Sequence, residues 1–143
     1  MIEREITTPT LLLDRQGNLL KPAYAKKMLY EYNRPQVAGR PFGLKEWDFY
    51  QVALGDWVLQ MTIGHVSYAA NFAAKLFSLT TGEQHSFYRL RPFPMRRMPM
   101  PLHPNETHVL PAKGKDFDMV YECHADYRTL RMTVSGDDLS TSI

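Results

Sequence analysis

The chain has 143 residues, of which 44% are hydrophobic and 22% charged, the balance of an ordinary globular domain. Its 17 basic and 15 acidic residues leave a formal charge of +2, too small to indicate nucleic-acid binding. The single cysteine, Cys123, excludes an internal disulfide and favours a reducing compartment. The N-terminus alternates charges where a signal peptide needs an apolar stretch, and no apolar run approaches the roughly 20 residues of a membrane helix. We expect one cytoplasmic domain without a membrane span.

The N-terminal region predicts a turn followed by a short helix. Residues 14–18, "DRQGN", lie between two leucine-rich runs, and Gly17 tolerates the positive φ that such a turn needs. Residues 22–32, "PAYAKKMLYEY", begin with a proline, which suits a first helical turn. Apolar residues then recur at helical spacing, at Ala25, Met28, Leu29 and Tyr32.

From Trp47 onward the apolar pattern has the two-residue period of β-strands. Residues 47–63 predict a hairpin that turns at 54–56, and the same logic predicts turns at 81–83 and near Ala125. The alternation in the first hairpin puts one group of large residues on a single face: Trp57, Leu59, Met61 and Ile63. Sequential hairpins without helical crossovers favour an all-β antiparallel meander, closed as a barrel or packed as a sandwich.

A proline-rich segment separates the second and third hairpins. Proline cannot donate to a strand ladder, so this segment must be a long loop or an edge. Its prolines are residues 92, 94, 99, 101, 104 and 111.

The stretch "LKEWDFYQV", residues 44–52, can be a core strand or part of a site. Strand alternation puts Trp47 and Phe49 on one face and Asp48 and Tyr50 on the other. An acid among aromatic rings in a cavity would have a raised pKa, which makes Asp48 a candidate catalytic acid. The opposite interpretation is a well-packed strand with one acid at its rim.

The stretch "TIGHVSYAANFAAKLFSL" also allows two interpretations. Small residues facing a barrel interior leave space for a ligand, to which His65 and Tyr68 would contribute. A short helix or a tight strand crossing explains the small residues equally simply. The alanines concerned are residues 69, 70, 73 and 74.

Metal and phosphate sites have little support in the sequence. The five histidines show no paired ligand spacing, and a methionine cluster at residues 95, 98 and 100 more often packs a core than binds copper. Arginines 89, 91, 96 and 97 could bind a phosphate or single strand, but a solvated rim accounts for them. No phosphate-loop, dinucleotide, serine-hydrolase or zincin motif is present. We expect no metal, no cofactor and no nucleic-acid partner.

Four stretches in matching order and spacing resemble a bacterial family, domain of unknown function 2804. They are "EREITTPTLLLDRQGNL" at 3–19, "AKKMLYEYNR" at 25–34, "LKEWDFYQV" at 44–52 and "TIGHVSYAANFAAKLFSLTTGE" at 62–83. The resemblance covers about the first 110 residues. It implies a lipocalin-like fold similar to carotenoid hydratases and tocopherol cyclases, with a pair of antiparallel barrels in a chain more than twice this length.

Two departures from that family pattern affect the expectations. Its Gly- and Trp-rich later half is missing and the tail "SGDDLSTSI" resembles an interrupted chain, so residues 1–143 are expected to be one β domain from a longer protein. The exposure left by the missing half would be relieved by a homodimer or by aggregation. His65-Val66 stands where an acid and an asparagine are expected, which weakens any polar role for that corner.

Three functions follow from these observations. The leading hypothesis is a lipocalin-like barrel that binds a hydrophobic small molecule, a lipid or isoprenoid, through Trp47, Asp48, Tyr50, His65 and Tyr68. The second is a hydratase- or cyclase-like enzyme in which Asp48 protonates an alkene and aromatic rings stabilise the cation. The third is an interaction module that uses the Arg/Pro-rich loop. An apolar pocket without a buried carboxylate favours the first of these.

Overall fold

A computed structural model describes residues 4–38, 43–94, 98–103, 106–135 and 141–142. Within these residues the protein is built from strands, with a single turn of 3-10 helix at Arg34–Gln36. This confirms the predicted all-β class. The strands are β1 (Thr10–Leu11), β2 (Tyr30–Glu31), β3 (Glu46–Leu54), β4 (Trp57–His65), β5 (Ala69–Ser78), β6 (Gln84–Pro92), β7 (His108–Lys113), β8 (Phe117–Cys123), β9 (Arg128–Val134) and β10 (Thr141–Ser142).

Two four-stranded antiparallel meanders make up most of the fold. The first sheet has the order β3-β4-β5-β6 and the second the order β7-β8-β9-β10, while β1 and β2 form a small parallel ribbon. All three predicted hairpins are present. Leu54 pairs with Trp57 across the first turn, and the other two turns lie at residues 78–83 and 124–127.

The two sheets share one core and cross each other at a steep angle. On β8, the ring of Phe117 lies 5.1 Å from that of Phe72 on β5, whereas Tyr121 lies 5.2 Å from Tyr50 on β3. Since β4 separates β3 from β5, β8 runs across the strands of the first sheet rather than along them, as in orthogonal sheet packing. The buried core cluster takes residues from both sheets and the connecting segment: Met61, Ile63, Ala70, Phe72, Met98, Met100, Leu110, Ala112, Phe117, Met119, Tyr121 and Met132.

The predicted closed barrel is not observed. Among the described residues, each sheet ends in its own edge strands and no ladder joins one sheet to the other. The proline-rich segment carries the chain between the sheets, and its flanking prolines lie in the edge strands β6 and β7 (Pro92 and Pro111). Proline removes a ladder donor, so it is tolerated at edges like these.

The predicted N-terminal helix over residues 22–32 is wrong. This region pairs instead with residues 4–12: Ile6 N–H donates to the Tyr24 carbonyl at 2.8 Å, and Thr10 N–H donates to the Leu29 carbonyl at 2.9 Å. An eleven-residue helix is marginal in isolation, and the tyrosines of this stretch suit strands. Long-range pairing therefore outweighs the helical spacing.

The predicted turn at residues 14–18 is present. The Asp14 carboxylate accepts hydrogen bonds from the backbone N–H groups of Gln16 and Asn18, both at 2.9 Å. Gly17 adopts a φ of 82°, and a Cβ there would lie 1.7 Å from the Gln36 carbonyl oxygen. Only glycine fits both the backbone angle and this close approach to the 3-10 helix.

The buried fraction of the inner-face side chains of β4 decreases toward the β3–β4 turn. Met61 and Ile63 are buried as predicted, whereas Leu59 is half-buried and Trp57 is 36% exposed. The predicted face is correct, but the second sheet covers only part of it. The uncovered end of the first sheet's inner face forms one wall of a cleft described below.

Candidate functional site

The inner face of β3 carries a row of polar residues. Glu46, Asp48 and Tyr50 pair across the ladder with His65, Ile63 and Met61 of β4, respectively. Directly opposed residues share a face, so all three point the same way as the core residues Met61 and Ile63. The structure confirms that Asp48 and Tyr50 lie on one face, with Trp47 on the other.

Glu46 holds together a buried charged group. Its carboxylate lies 2.5 Å from Arg34 Nε, 2.7 Å from Arg34 Nη2 and 3.1 Å from His65 Nε2. His65 Nδ1 accepts the Ser67 backbone N–H at 3.1 Å, so the Nε2 side of the ring faces the Glu46 carboxylate. His65, predicted to bind a ligand, therefore has one ring nitrogen hydrogen-bonded and the other against the Glu46 carboxylate.

Tyr50 links the two sheets. Its hydroxyl lies 3.6 Å from the Cys123 sulfur, and its ring meets the Tyr121 ring edge-on. Burial raises the pKa of Tyr50 to about 12, with a further contribution from the hydrogen bond to Cys123. Burial also raises the pKa of Tyr121, whose side chain is fully buried. Both hydroxyls therefore stay protonated at neutral pH.

Asp48 is an acid in a poorly solvated position. Its Oδ2 atom is buried and has no hydrogen-bond partner among the described residues. Burial raises the pKa of Asp48, and the nearby His108 and Arg128 oppose that shift without cancelling it. His108, Cys123 and Arg128 form a cross-strand row on the second sheet, the row that contacts Tyr50.

Compared with wild type at the same pH, the Asp48→Asn variant should become more stable as the pH rises. A raised folded-state pKa means that Asp48 stabilises the fold below its unfolded pKa of about 3.9 and that this contribution is lost as pH rises through the folded pKa. Denaturation of wild type and Asp48→Asn across this range should show the variant gaining on wild type toward neutral pH. Asp126→Asn, in the exposed β8–β9 turn, is the control; a pH-independent difference for Asp48→Asn would contradict the assignment.

The other two predicted ligand-binding residues lie apart from this group. Trp47 is 64% exposed on the outer face of the first sheet, and Tyr68 is 56% exposed in the β4–β5 loop. Trp47 pairs with Gly64, where a Cβ would lie 2.7 Å from the Trp47 Cβ. Gly64 therefore leaves room for the Trp47 side chain across the ladder, on the face of β3 opposite Asp48.

Sequence reasoning missed the residues that the second sheet supplies. Tyr121, His108 and Arg128 approach Asp48 only because the sheets cross, and no local spacing encodes that crossing. Tyr121 and Cys123 are buried on alternate positions of β8, and that two-residue period was the available signal.

An apolar cleft of about 370 Å³ opens where the second sheet stops covering the first. Ala74 sits in its wall between Met61 and Phe87, its cross-strand partners. Among the described residues that line the cleft, Glu83 alone carries a carboxylate, and this residue is exposed at the rim. The lining residues are Trp57, Leu59, Met61, Ala74, Leu76, Glu83, His85, Ser86, Phe87, Met132 and Val134.

A second, more open groove of about 520 Å³ runs beside β3. Asp48 and Trp47 contribute to it from β3, Tyr30 from the N-terminal region, and Met100 and Leu102 from the proline-rich segment. Asp48 thus belongs both to the buried polar group and to the lining of an accessible groove.

The methionines and arginines singled out in the sequence have structural roles where they are described. Met98 and Met100 are core residues, and Met95 lies outside the described residues together with Arg96 and Arg97. Arg89 pairs with Asp116, and Arg91 donates to the Lys113 carbonyl. The described part of the chain contains no group of three or more metal-ligating side chains and no helix long and apolar enough to cross a membrane.

The fold and these sites define an all-β protein of two crossed antiparallel sheets, with a polar group and an apolar cleft on the inner face of the first sheet. The chain belongs to the family described as Domain of unknown function (DUF2804), whose model matches residues 3–143. That match extends beyond the first 110 residues in which the resemblance was seen. No curated protein and no solved structure matched the chain.

Proposed function

We propose that the protein binds a hydrophobic small molecule, such as a lipid or an isoprenoid, in the apolar cleft between its sheets. The supporting observation is the lining of the cleft, in which Leu59, Met61 and Leu76 belong to the first sheet and Met132 to the second. A concave apolar site of a few hundred Å³ with polar groups at its rim is typical of small-molecule pockets.

The cleft favours binding over acid catalysis. A catalytic acid has to lie within reach of the reacting atom, and the described cleft lining has no buried carboxylate. Asp48, the candidate acid, lines the groove beside β3 instead. Trp47 also lines that groove, but its side chain projects from the face of β3 opposite Asp48.

Filling the cleft tests the proposal. Nile red should bind saturably to the wild-type protein with a rise in fluorescence, and Ala74→Phe should abolish that binding because the new ring occupies the cleft. Ala73→Phe is the matched control, since Ala73 pairs with Thr62 and Tyr88 on the outer face. Equal Nile red binding by the two variants, with both folded by circular dichroism, would refute the proposed site.

A further inference from the structure

Several buried polar atoms lack hydrogen-bond partners among the described residues. One of them, His65 Nε2, lies 3.1 Å from the Glu46 carboxylate, and three others lie in one region of the protein. They are Asp48 Oδ2, His108 Nε2 and the Tyr121 hydroxyl. Tyr121 is a fully buried side chain. Buried polar groups are nearly always hydrogen-bonded, so three such atoms in one region require partners from ordered water or from a ligand.

The contacts of Tyr50 and Cys123 bring the three residues together. Tyr50 touches both Tyr121 and Cys123, and Asp48 lies two residues before Tyr50 on the same face of β3. His108 is the cross-strand partner of Cys123, so its side chain shares the inner face of the second sheet. We call Asp48, His108 and Tyr121 the polar trio.

The hydrogen-bonding capacity of the trio matches a hydroxyl group. His108 Nδ1 lies 2.8 Å from the Glu106 carbonyl oxygen, which can only accept, so the neutral ring carries its proton on Nδ1 and offers Nε2 as an acceptor. The Tyr121 hydroxyl can donate. A ligand hydroxyl satisfies both, because it donates one hydrogen bond and accepts others.

Other ligand classes fit less well. An anion would meet the carboxyl groups of Asp48 and Glu46 on the same face. A metal ion would need more ligating side chains than the described residues bring together. A pure hydrocarbon would leave the three polar atoms unsatisfied.

We propose that the polar trio binds the hydroxyl group of a small neutral alcohol that enters through the groove beside β3. Asp48 connects the polar trio with the groove beside β3, because it lines the groove while its Oδ2 atom is buried. The carbon skeleton would lie against Tyr30, Met100 and Leu102 of the groove wall. This site is distinct from the apolar cleft and does not depend on it.

Methionine methyl groups report on the two sites separately. Met28 and Met100 line the groove, whereas Met61 and Met132 line the cleft. In protein labelled with ¹³C at the methionine methyls, cyclopentanol should shift the Met100 signal saturably. Cyclopentane, which differs by the hydroxyl, should shift it far less. Tyr121→Phe should weaken cyclopentanol binding roughly three- to tenfold, as expected for one lost hydrogen bond.

Two further variants complete the test. Asp48→Leu removes the carboxyl group and should weaken cyclopentanol binding by a similar or larger factor, which provides a second readout if Tyr121→Phe fails to fold. Tyr88→Phe, on the exposed outer face, is the control and should bind like wild type. The proposal is overturned if the wild type does not bind cyclopentanol, if it binds both probes equally, if both trio variants bind like wild type, or if the shifts are confined to Met61 and Met132.

Discussion

Replacing Phe72 with alanine should lower the free energy of unfolding by about 3–5 kcal/mol, the range for truncating a buried phenylalanine. Phe72 is 1% exposed, and its ring lies 5.1 Å from that of Phe117 on the second sheet. The guanidinium of Arg91 also lies over the ring, 5.0 Å from its centroid. The truncation would open a cavity where the two sheets meet, and urea denaturation of the variant measures the loss.

Phe49→Ala provides the matched control. Phe49 is 50% exposed on the outer face of β3, so its removal should cost less than about 1 kcal/mol, the span of strand propensity. Equal losses in the two variants would mean that the sheets do not pack through the face that carries Phe72. A reduced m-value for Phe72→Ala alone would point instead to a change in the denatured state or to loss of two-state unfolding.

The hairpins could be predicted because their signals are local. The signals are the alternation along strands such as β4 and β8 and the turn residues Gly55 and Gly82. Each turn residue lies within a few positions of the strands that it joins. Two-residue periodicity also predicted that Asp48 and Tyr50 share one face of β3. Each of these features depends on backbone geometry that a short stretch of sequence determines.

Barrel closure could not be predicted in the same way. Whether β3 or β6 pairs with an edge of the second sheet depends on the path of the proline-rich segment and on the crossing angle of the sheets. Both come from long-range packing. The same limitation explains the missed helix, because the pairing of residues 22–32 with residues 4–12 is a tertiary effect.

The two candidate binding regions lie at different ends of the first sheet's inner face. Near the Glu46 end the row that contains Asp48 faces His108 and Tyr121, whereas toward the β3–β4 turn Leu59 and Leu76 line the cleft. Met61 and Phe72 are buried between these regions. Variants in one region should therefore leave the other intact, so the two proposals can fail independently.

Replacing Glu46 with glutamine should destabilise the fold by about 3 kcal/mol, near the lower end of the range for breaking a buried ion pair, because glutamine can still form hydrogen bonds. The Glu46 and His65 side chains are 11% and 8% exposed, and Arg34 is 20% exposed. Removing the carboxylate takes away the charge that contacts both the Arg34 guanidinium and the His65 ring. The loss should be read from chemical denaturation at neutral pH.

The chain contains an exposed counterpart of this pair, which isolates the effect of burial. His85 Nε2 lies 3.2 Å from Glu83 Oε1, nearly the distance of the His65–Glu46 pair, but the two side chains are 46% and 58% exposed. Glu83→Gln should therefore change stability by no more than about 1 kcal/mol, since solvent screens an exposed pair. If Glu46→Gln were as mild as Glu83→Gln, the Glu46 cluster would not anchor the 3-10 helix to the first sheet. The groove beside β3, which Glu46 also lines, would then lack the fixed wall that recognition of a hydroxyl group requires.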